Sequence, residues 1–188
     1  ILKKINFPLA MPSANKSSRV SPVNSWDVYD EFKKKISLIL HGGKCRIGIE
    51  STVIDLTSKP KILRPGIIIK SNIEKTLRVK INNNSKFKKI KSPGLMRKHY
   101  SPGIPVAINQ KEYDGESAFI YLGNKYKNNK NYFSLTHKKN LDEAASNLYK
   151  IFRLIKKKGY KKIQICNIPN KGSGEAINDR IKRASNIK

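Results

Sequence analysis

Pro12-Ser13-Ala14-Asn15 leads, past Ser21-Pro22, to Gly48-Ile49-Glu50-Ser51-Thr52-Val53-Ile54-Asp55 and then to Arg64-Pro65-Gly66. This order sets short hydroxyl and amide side chains, glycines and one fixed cation beside predicted strand ends. Such groups can hold a nucleotide and a small polar substrate without a glycine-rich phosphate loop. Outward from this stretch, residues from Phe7 to about Ile73 alternate short apolar runs with Gly/Pro/Ser loops. Pro8-Leu9-Ala10 reads as the beginning of a buried strand, and Ile36 to Leu40 as another, stopped by Gly42-Gly43. Gly48 to Leu56 and Lys61 to Arg64 read as two more strands. Ser25 is the expected N-cap of a helix running to about Lys35.

Residues from about Val79 to Lys91, including Asn82-Asn83-Asn84, show no helical or strand period and read as a solvated connector. Ser92 to Pro105 is stiffened by three prolines and two glycines and carries His99 and Tyr100. Beyond Pro105, strands are expected at Val106 to Ile108, Ala118 to Leu122, Tyr132 to Leu135 and Lys162 to Ile168. Leu141, Ala145, Leu148, Phe152 and Ile155 recur at helical spacing. They predict a helix capped by Asn140 or Asp142 and stopped at Gly159. A last helix is expected over Glu175 to Ala184. Strand, helix, strand, helix makes a small Rossmann-like layer, and the fold class is α/β.

The 188 residues carry a net charge of +27. A charge of this size suits polyanionic partners, because bound phosphates release counterions. Yet the lysines are spread along the whole chain in company with Asn and Ile, as biased base composition would also produce, and no aromatic platform interleaves with them. Even a diffuse charge attracts ATP and tRNA from a distance. Cys45 and Cys166 lack a metal-ligand spacing and read as buried, reduced thiols. No apolar run approaches the ~20 residues that span a bilayer, and no signal-peptide pattern is present. A cytoplasmic location and no membrane partner are expected.

In their order, these segments resemble the second half of the YrdC-like catalytic domain of threonylcarbamoyl-AMP synthase. The resemblance continues through Ser92-Pro93-Gly94-Leu95-Met96-Arg97-Lys98-His99-Tyr100-Ser101-Pro102, similar to the linker of the family's long, two-domain form. It ends in Gly174-Glu175-Ala176-Ile177-Asn178-Asp179-Arg180-Ile181, similar to the close of its C-terminal domain. The implied organisation is residues 1–78 as the later part of a YrdC-like twisted mixed sheet, 79–105 as linker and 106–188 as the Rossmann-like domain. With Ile1 in place of an initiator Met, a fragment of a longer protein is expected.

The resemblance implies a nucleotidyltransferase joining ATP, L-threonine and bicarbonate into threonylcarbamoyl-AMP and diphosphate. ATP is a substrate and brings Mg2+ with it. The product serves N6-threonylcarbamoyladenosine formation in tRNA through a tRNA threonylcarbamoyl transferase complex. By the same resemblance Ser13, Asn15, Ser51, Arg64, His99 and Tyr100 contact substrate or ATP, and Thr52 supports Ser51. Asn178-Asp179-Arg180 lies at helical spacing after Gly172-Ser173-Gly174, and Asp179 and Arg180 read as fixing domain packing. Taken alone, Ser-Ala-Asn is an ordinary turn former. Arg64 can offer phosphate a planar fork of donors, held in place by Pro65-Gly66. Lys44-Cys45-Arg46 has the letters of the family's Lys-x-Arg but follows Ser13-Ala14-Asn15, so it does not stand for that motif. No catalytic residue is singled out and no metal site is expected. The alternative on the same observations is a non-catalytic module binding double-stranded RNA or tRNA.

Overall fold

Ala118 and Ile120 alternate with Phe119 and Tyr121, so a strand over these residues sends two small or branched side chains one way and two rings the other. This alternation organises the later half of the chain. In the computed structural model, which describes residues 2–81, 99–126 and 128–185, four parallel strands form one sheet in the order β3-β6-β4-β5. They are β3 (Val106–Ala107), β4 (Ala118–Tyr121), β5 (Tyr132–Ser134) and β6 (Ile163–Ile165). Helices α3 (Leu141–Lys157) and α4 (Ser173–Ser185) cover the face that bears Ala118 and Ile120. Leu148, Phe152 and Ile155 of α3 and Ile177 and Ile181 of α4 join Ile163 and Ile165 in a single core. Asn140 caps α3 by accepting from the amides of Asp142 and Glu143, and Gly159 follows its end with φ +85°. The expected α/β layer is therefore present.

The earlier half holds α1 (Ser25–Phe32), an antiparallel pair β1 (Val53–Asp55) and β2 (Lys61–Arg64), and α2 (Lys70–Leu77). Several expectations change here. Asn24, not Ser25, caps α1, because its side chain accepts from the Asp27 amide. Ile36 to Leu40 forms no strand, and Leu38 is 72% exposed. An apolar run makes a strand only where another strand takes its backbone hydrogen bonds, and none does so among the described residues. Pro8 to Ala10 is likewise unpaired and exposed. Ser51 and Thr52 precede β1 instead of lying on it. Helix α2 was not expected, since only Ile73 of its eight residues is buried. Cys45 is exposed, whereas Cys166 is half-buried, and both are free thiols. Residues 82–98, with the Asn run and the linker from Ser92 to Lys98, lie outside the described residues.

The two halves are joined closely. Val20, Val23 and Tyr100 belong to the same core as α3 and α4. Arg153 of α3 donates to the Val20 carbonyl at 2.7 Å and pairs with Glu31 at 3.4 Å. The Val20 amide donates to the Ser101 carbonyl, and the Ser101 amide donates to the Ser18 carbonyl. Gly48 lies against α3 with φ +75°, and a Cβ built there would stand 2.5 Å from the Ser146 carbonyl oxygen. Both the left-handed backbone and the helix backbone oppose any side chain at that point. Gly48→Ala is expected to lower stability by about 1–3 kcal/mol, read as a shift of the urea midpoint at unchanged slope.

Candidate functional site

Ser51 and Arg64 meet because β1 and β2 pair antiparallel, with Val53 opposite Arg64. Arg64 is only 8% exposed. Its Nε donates to the Ser51 carbonyl at 3.0 Å and one Nη to the Ser51 hydroxyl at 3.3 Å. It is thus a cation drawn into the fold and aimed by Ser51, not a surface arginine at a strand end. Gly66 makes the approach possible, since a Cβ there would run into the Thr52 amide nitrogen. Thr52 donates its hydroxyl to the Ile68 carbonyl at 2.8 Å, which ties down the same turn.

Glu50, one residue earlier, is the junction of the site. Its carboxylate accepts from the Ser21 hydroxyl at 2.7 Å, the Tyr149 hydroxyl at 2.9 Å and Arg180 Nε at 2.9 Å. Arg180 is fully buried and also pairs with Asp179 at 2.7 Å, which in turn binds Arg183. Asp179 and Arg180 therefore fix packing, as expected from their helical spacing. Burial alone would raise the Glu50 carboxyl. The Arg180 charge and the hydrogen bonds from Ser21 and Arg180 outweigh burial and hold it below the ordinary glutamate range.

His99 and Tyr100 bring the linker to this junction. Tyr100 has φ +60° and is 1% exposed. Its ring stacks on Tyr149 with centroids 6.0 Å apart, and the Arg180 guanidinium sits 4.9 Å from its centroid. Such a ring is a packing element, gripped from both sides. His99 lies edge-on to Tyr100 at 4.1 Å and is half-buried. Its Nδ1 is buried and has no hydrogen-bond partner among the described residues. Burial, followed by the charges of Arg183, Arg180 and Arg64 against the opposing pull of Glu50, pushes the imidazole below its ordinary range. The shift favours the neutral ring.

Ser13 and Asn15 form a tight turn, with the Asn15 amide donating to the Ser13 carbonyl at 2.9 Å. Asn15 Nδ2 ties the turn to the Lys16 and Arg19 carbonyls, and its Oδ1 is buried without a partner among the described residues. Arg19 bridges to Ser101, so turn and linker share one stem. Ser13 is exposed, and no hydrogen bond joins the turn to Arg64 among the described residues. The structure thus assembles Ser51, Arg64, His99 and Tyr100 about Glu50, and leaves Ser13 and Asn15 to one side. Glu50, Tyr149 and Arg180 are what the motif reading missed as a unit. The only signal in the sequence is a lone carboxylate, Glu50, just before an apolar strand. His41 contacts the Ser25 hydroxyl at 2.6 Å and serves α1. No cluster of His, Cys, Asp or Glu able to hold a metal exists among the described residues. No helix described is long and apolar enough to cross a membrane.

A family model described as threonylcarbamoyl-AMP synthase, C-terminal domain, matches residues 68–186. A second, described as telomere recombination, matches residues 1–66. The chain is 31% identical over 212 residues to the threonylcarbamoyl-AMP synthase of Pyrococcus abyssi, a match spanning 95% of this chain and 58% of that protein. It is 29% identical over 210 residues to the enzyme of the same name from Bacillus subtilis, spanning 98% of this chain and 59% of that one. Among solved structures, P. abyssi Sua5 complexed with L-threonine superposes with a TM-score of 0.78 at 31% identity, over 93% of this chain and 56% of that chain. A variant of the same protein with a histidine and a tyrosine replaced by alanine gives a TM-score of 0.75 at 29% identity, over the same shares of the two chains. This chain therefore spans somewhat more than half the length of the relatives it matches.

The shifts at Glu50 and His99 have one sign: each folded group is harder to protonate than its unfolded counterpart. The unfolded chain then takes up protons that the folded chain refuses, so stability falls as the pH falls. The loss begins near the ordinary histidine value of 6.5 and deepens through and below the ordinary glutamate range. Urea midpoints at stepped pH should show this, with Glu50→Gln flattening the acid limb and His99→Gln the upper one. Glu50→Ala, which strands Arg180 in the core, is expected to cost about 3–5 kcal/mol at pH 7.

Proposed function

Because the chain belongs to the threonylcarbamoyl-AMP synthase family, we propose that it forms part of the site that makes threonylcarbamoyl-adenylate from ATP, L-threonine and bicarbonate. The threonine amine attacks bicarbonate-derived CO2 and becomes a carbamate. A carbamate oxygen then attacks the α-phosphorus of ATP, and diphosphate leaves. The chemistry needs alignment and charge compensation more than a strong base, which suits a site of serine, asparagine and arginine. ATP would carry Mg2+ on its own phosphates, which would offset charge on the leaving diphosphate. The product would serve threonylcarbamoylation of adenosine in tRNA, in the cytoplasm.

One observation carries this reading: a buried arginine, aimed by the Ser51 carbonyl and hydroxyl, beside a linker histidine whose buried Nδ1 has no partner among the described residues. Buried polar atoms are seldom left unpaired, and a bound ligand is one thing that pairs them. In the roles proposed, Arg64 answers phosphate charge and Ser51 holds Arg64 while offering its hydroxyl. His99 faces the ligand as a neutral imidazole, and Asn15 and Ser13 receive substrate from the neighbouring turn. The buried Tyr100 ring anchors His99, so its role at the ligand is positional.

Calorimetric titration of ATP and L-threonine tests the assignment. Arg64→Ala should weaken ATP binding by about 1.5–3 kcal/mol, and Arg64→Lys should restore only part, since the fork is lost. Unchanged ATP affinity in both variants would remove Arg64 from the site. Formation of the adenylate, followed by mass spectrometry, is expected where the family's Lys-x-Arg is supplied in the same protein, as in a chimera carrying the preceding segment of the P. abyssi relative. A folded chimera that binds both substrates but makes no adenylate would overturn the proposed activity.

A further inference from the structure

Among the described residues, no helix lies on the sheet face opposite α3 and α4. The connections β3 to β4 and β4 to β5 must each return a chain to the start of a parallel strand, and both do so as loops. The first sets Tyr113 against Phe119 and Tyr132, with centroids 6.2 and 5.1 Å apart. The second sets Tyr126 against Tyr121 and Tyr132, at 5.3 and 4.3 Å. Between the loops opens a cleft of about 890 Å³, on the far side of the sheet from the helices that carry Tyr149 and Arg180. An aromatic platform, not evident from the sequence, is thus built from five rings at irregular spacing between Tyr113 and Tyr132. Phe119 and Tyr121 are buried beneath, while Tyr113 and Tyr132 are half-buried and Tyr126 is exposed.

The cleft's charge and position narrow its ligand. Lys111, Lys125 and Lys139 line it with a single acidic residue, Glu112. Lys125 Nζ stands 5.3 Å from the Tyr126 centroid. Its inner end is formed by Leu122 and Gly123 after β4 and by Cys166 and Asn167 after β6. These strands are neighbours whose continuations diverge: β4 leads to β5 on one side, and β6 leads to α4, which packs toward β3 on the other. A crevice at the carboxyl ends of parallel strands whose connections diverge is where open α/β sheets take their ligands. Asp114 holds the first loop in place, accepting from Ser117 and Lys162 while its amide donates to Gln164 at 3.0 Å. That wall of the cleft is therefore held to the sheet.

We propose that this cleft is a nucleotide-binding site separate from the one about Glu50 and Arg64, stacking a base on its tyrosines and meeting phosphate with Lys111, Lys125 and Lys139. An inorganic anion would leave the rings unused, and an apolar ligand would desolvate three lysines for nothing. A nucleotide uses both, whether free or as a residue of single-stranded RNA. The inference does not rest on the catalytic reading.

The test is made in the Arg64→Ala background, which weakens binding at the other site, and the tyrosine and lysine substitutions assign what remains to the cleft. Fluorescence anisotropy with a labelled adenine nucleotide and a labelled 12-nucleotide single-stranded RNA reads affinity at two salt concentrations, with circular dichroism as the check on folding. Saturable binding is expected, weakened about 5-fold or more by Tyr126→Ala, as loss of one stacking ring implies. Lys139→Ala should weaken it too and reduce its salt dependence. RNA binding at least tenfold tighter than the free nucleotide identifies a strand as the source, and the reverse identifies a free nucleotide. Absence of binding by both probes up to millimolar nucleotide, or affinity unmoved by both substitutions in folded protein, overturns the proposal.

Discussion

The contact between Glu50 and Arg180 holds the two halves of this chain in one piece. It joins residues 130 apart in sequence, and one partner is wholly out of water. A buried cation is tolerated only when its charge and its donors are answered, and here Glu50, Asp179 and the Tyr100 ring each answer part. The pairing also decides what surrounds it. Tyr149 reaches Glu50 from α3, Tyr100 is sandwiched between Tyr149 and Arg180, and His99 is thereby placed within the field of Arg64. The site assembles because its supporting pair cannot form without bringing the linker, β1 and α4 together.

Burial differs sharply between the halves. Among the described residues, twelve of the fifteen exposed large hydrophobic side chains fall between Phe7 and Ile68. The later half buries its apolar residues under two helices, whereas the earlier half offers one two-stranded pair and two short helices, of which α1 buries no residue and α2 only Ile73. Its position is kept mainly by ties to the later half: Val20 and Val23 in the shared core, Arg153 to Glu31, and Gly48 on α3. Marginal packing of its own and strong packing against a neighbour make the earlier segment dependent on that neighbour for its fold.

The same contrast explains what could be read from the residues alone. Helix α3 is legible because its apolar period, its Asn140 cap and Gly159 all agree, and the four strands of the parallel sheet because each is a short apolar run between turns. Ile36 to Leu40 misleads for the opposite reason: its composition is that of a strand, but strandedness belongs to a pair, and no neighbour takes its hydrogen bonds. Arg64 and Ser51 are legible as residues, and their direct contact follows from the register of β1 against β2. The hub at Glu50 is not legible, because its partners arrive from α3 and α4 across about a hundred residues or more. The tyrosine platform is hidden likewise, since rings at 113, 126 and 132 show no period and meet only when two loops cross the same sheet face.

A chain with 40 basic and 13 acidic residues cannot neutralise itself, so where its carboxylates go decides where its positive field is left standing. Most go to structural work. Glu50 and Asp179 bind the hub, Asp27 and Glu31 meet Arg153, Asp142 and Glu143 serve the start of α3, and Asp114 pins a loop. Each is placed at a junction between elements and is then unavailable to offset lysines elsewhere. The uncompensated charge is left over the surface, including the rim of the tyrosine cleft, where three lysines face one glutamate. Fields of this kind concentrate anions such as nucleotides before any specific contact forms, and they do so more weakly as salt rises. Even a charge that arose from biased composition would therefore act as a guide for phosphate. The arrangement of a few carboxylates turns it from a uniform repulsion into an attraction with a direction.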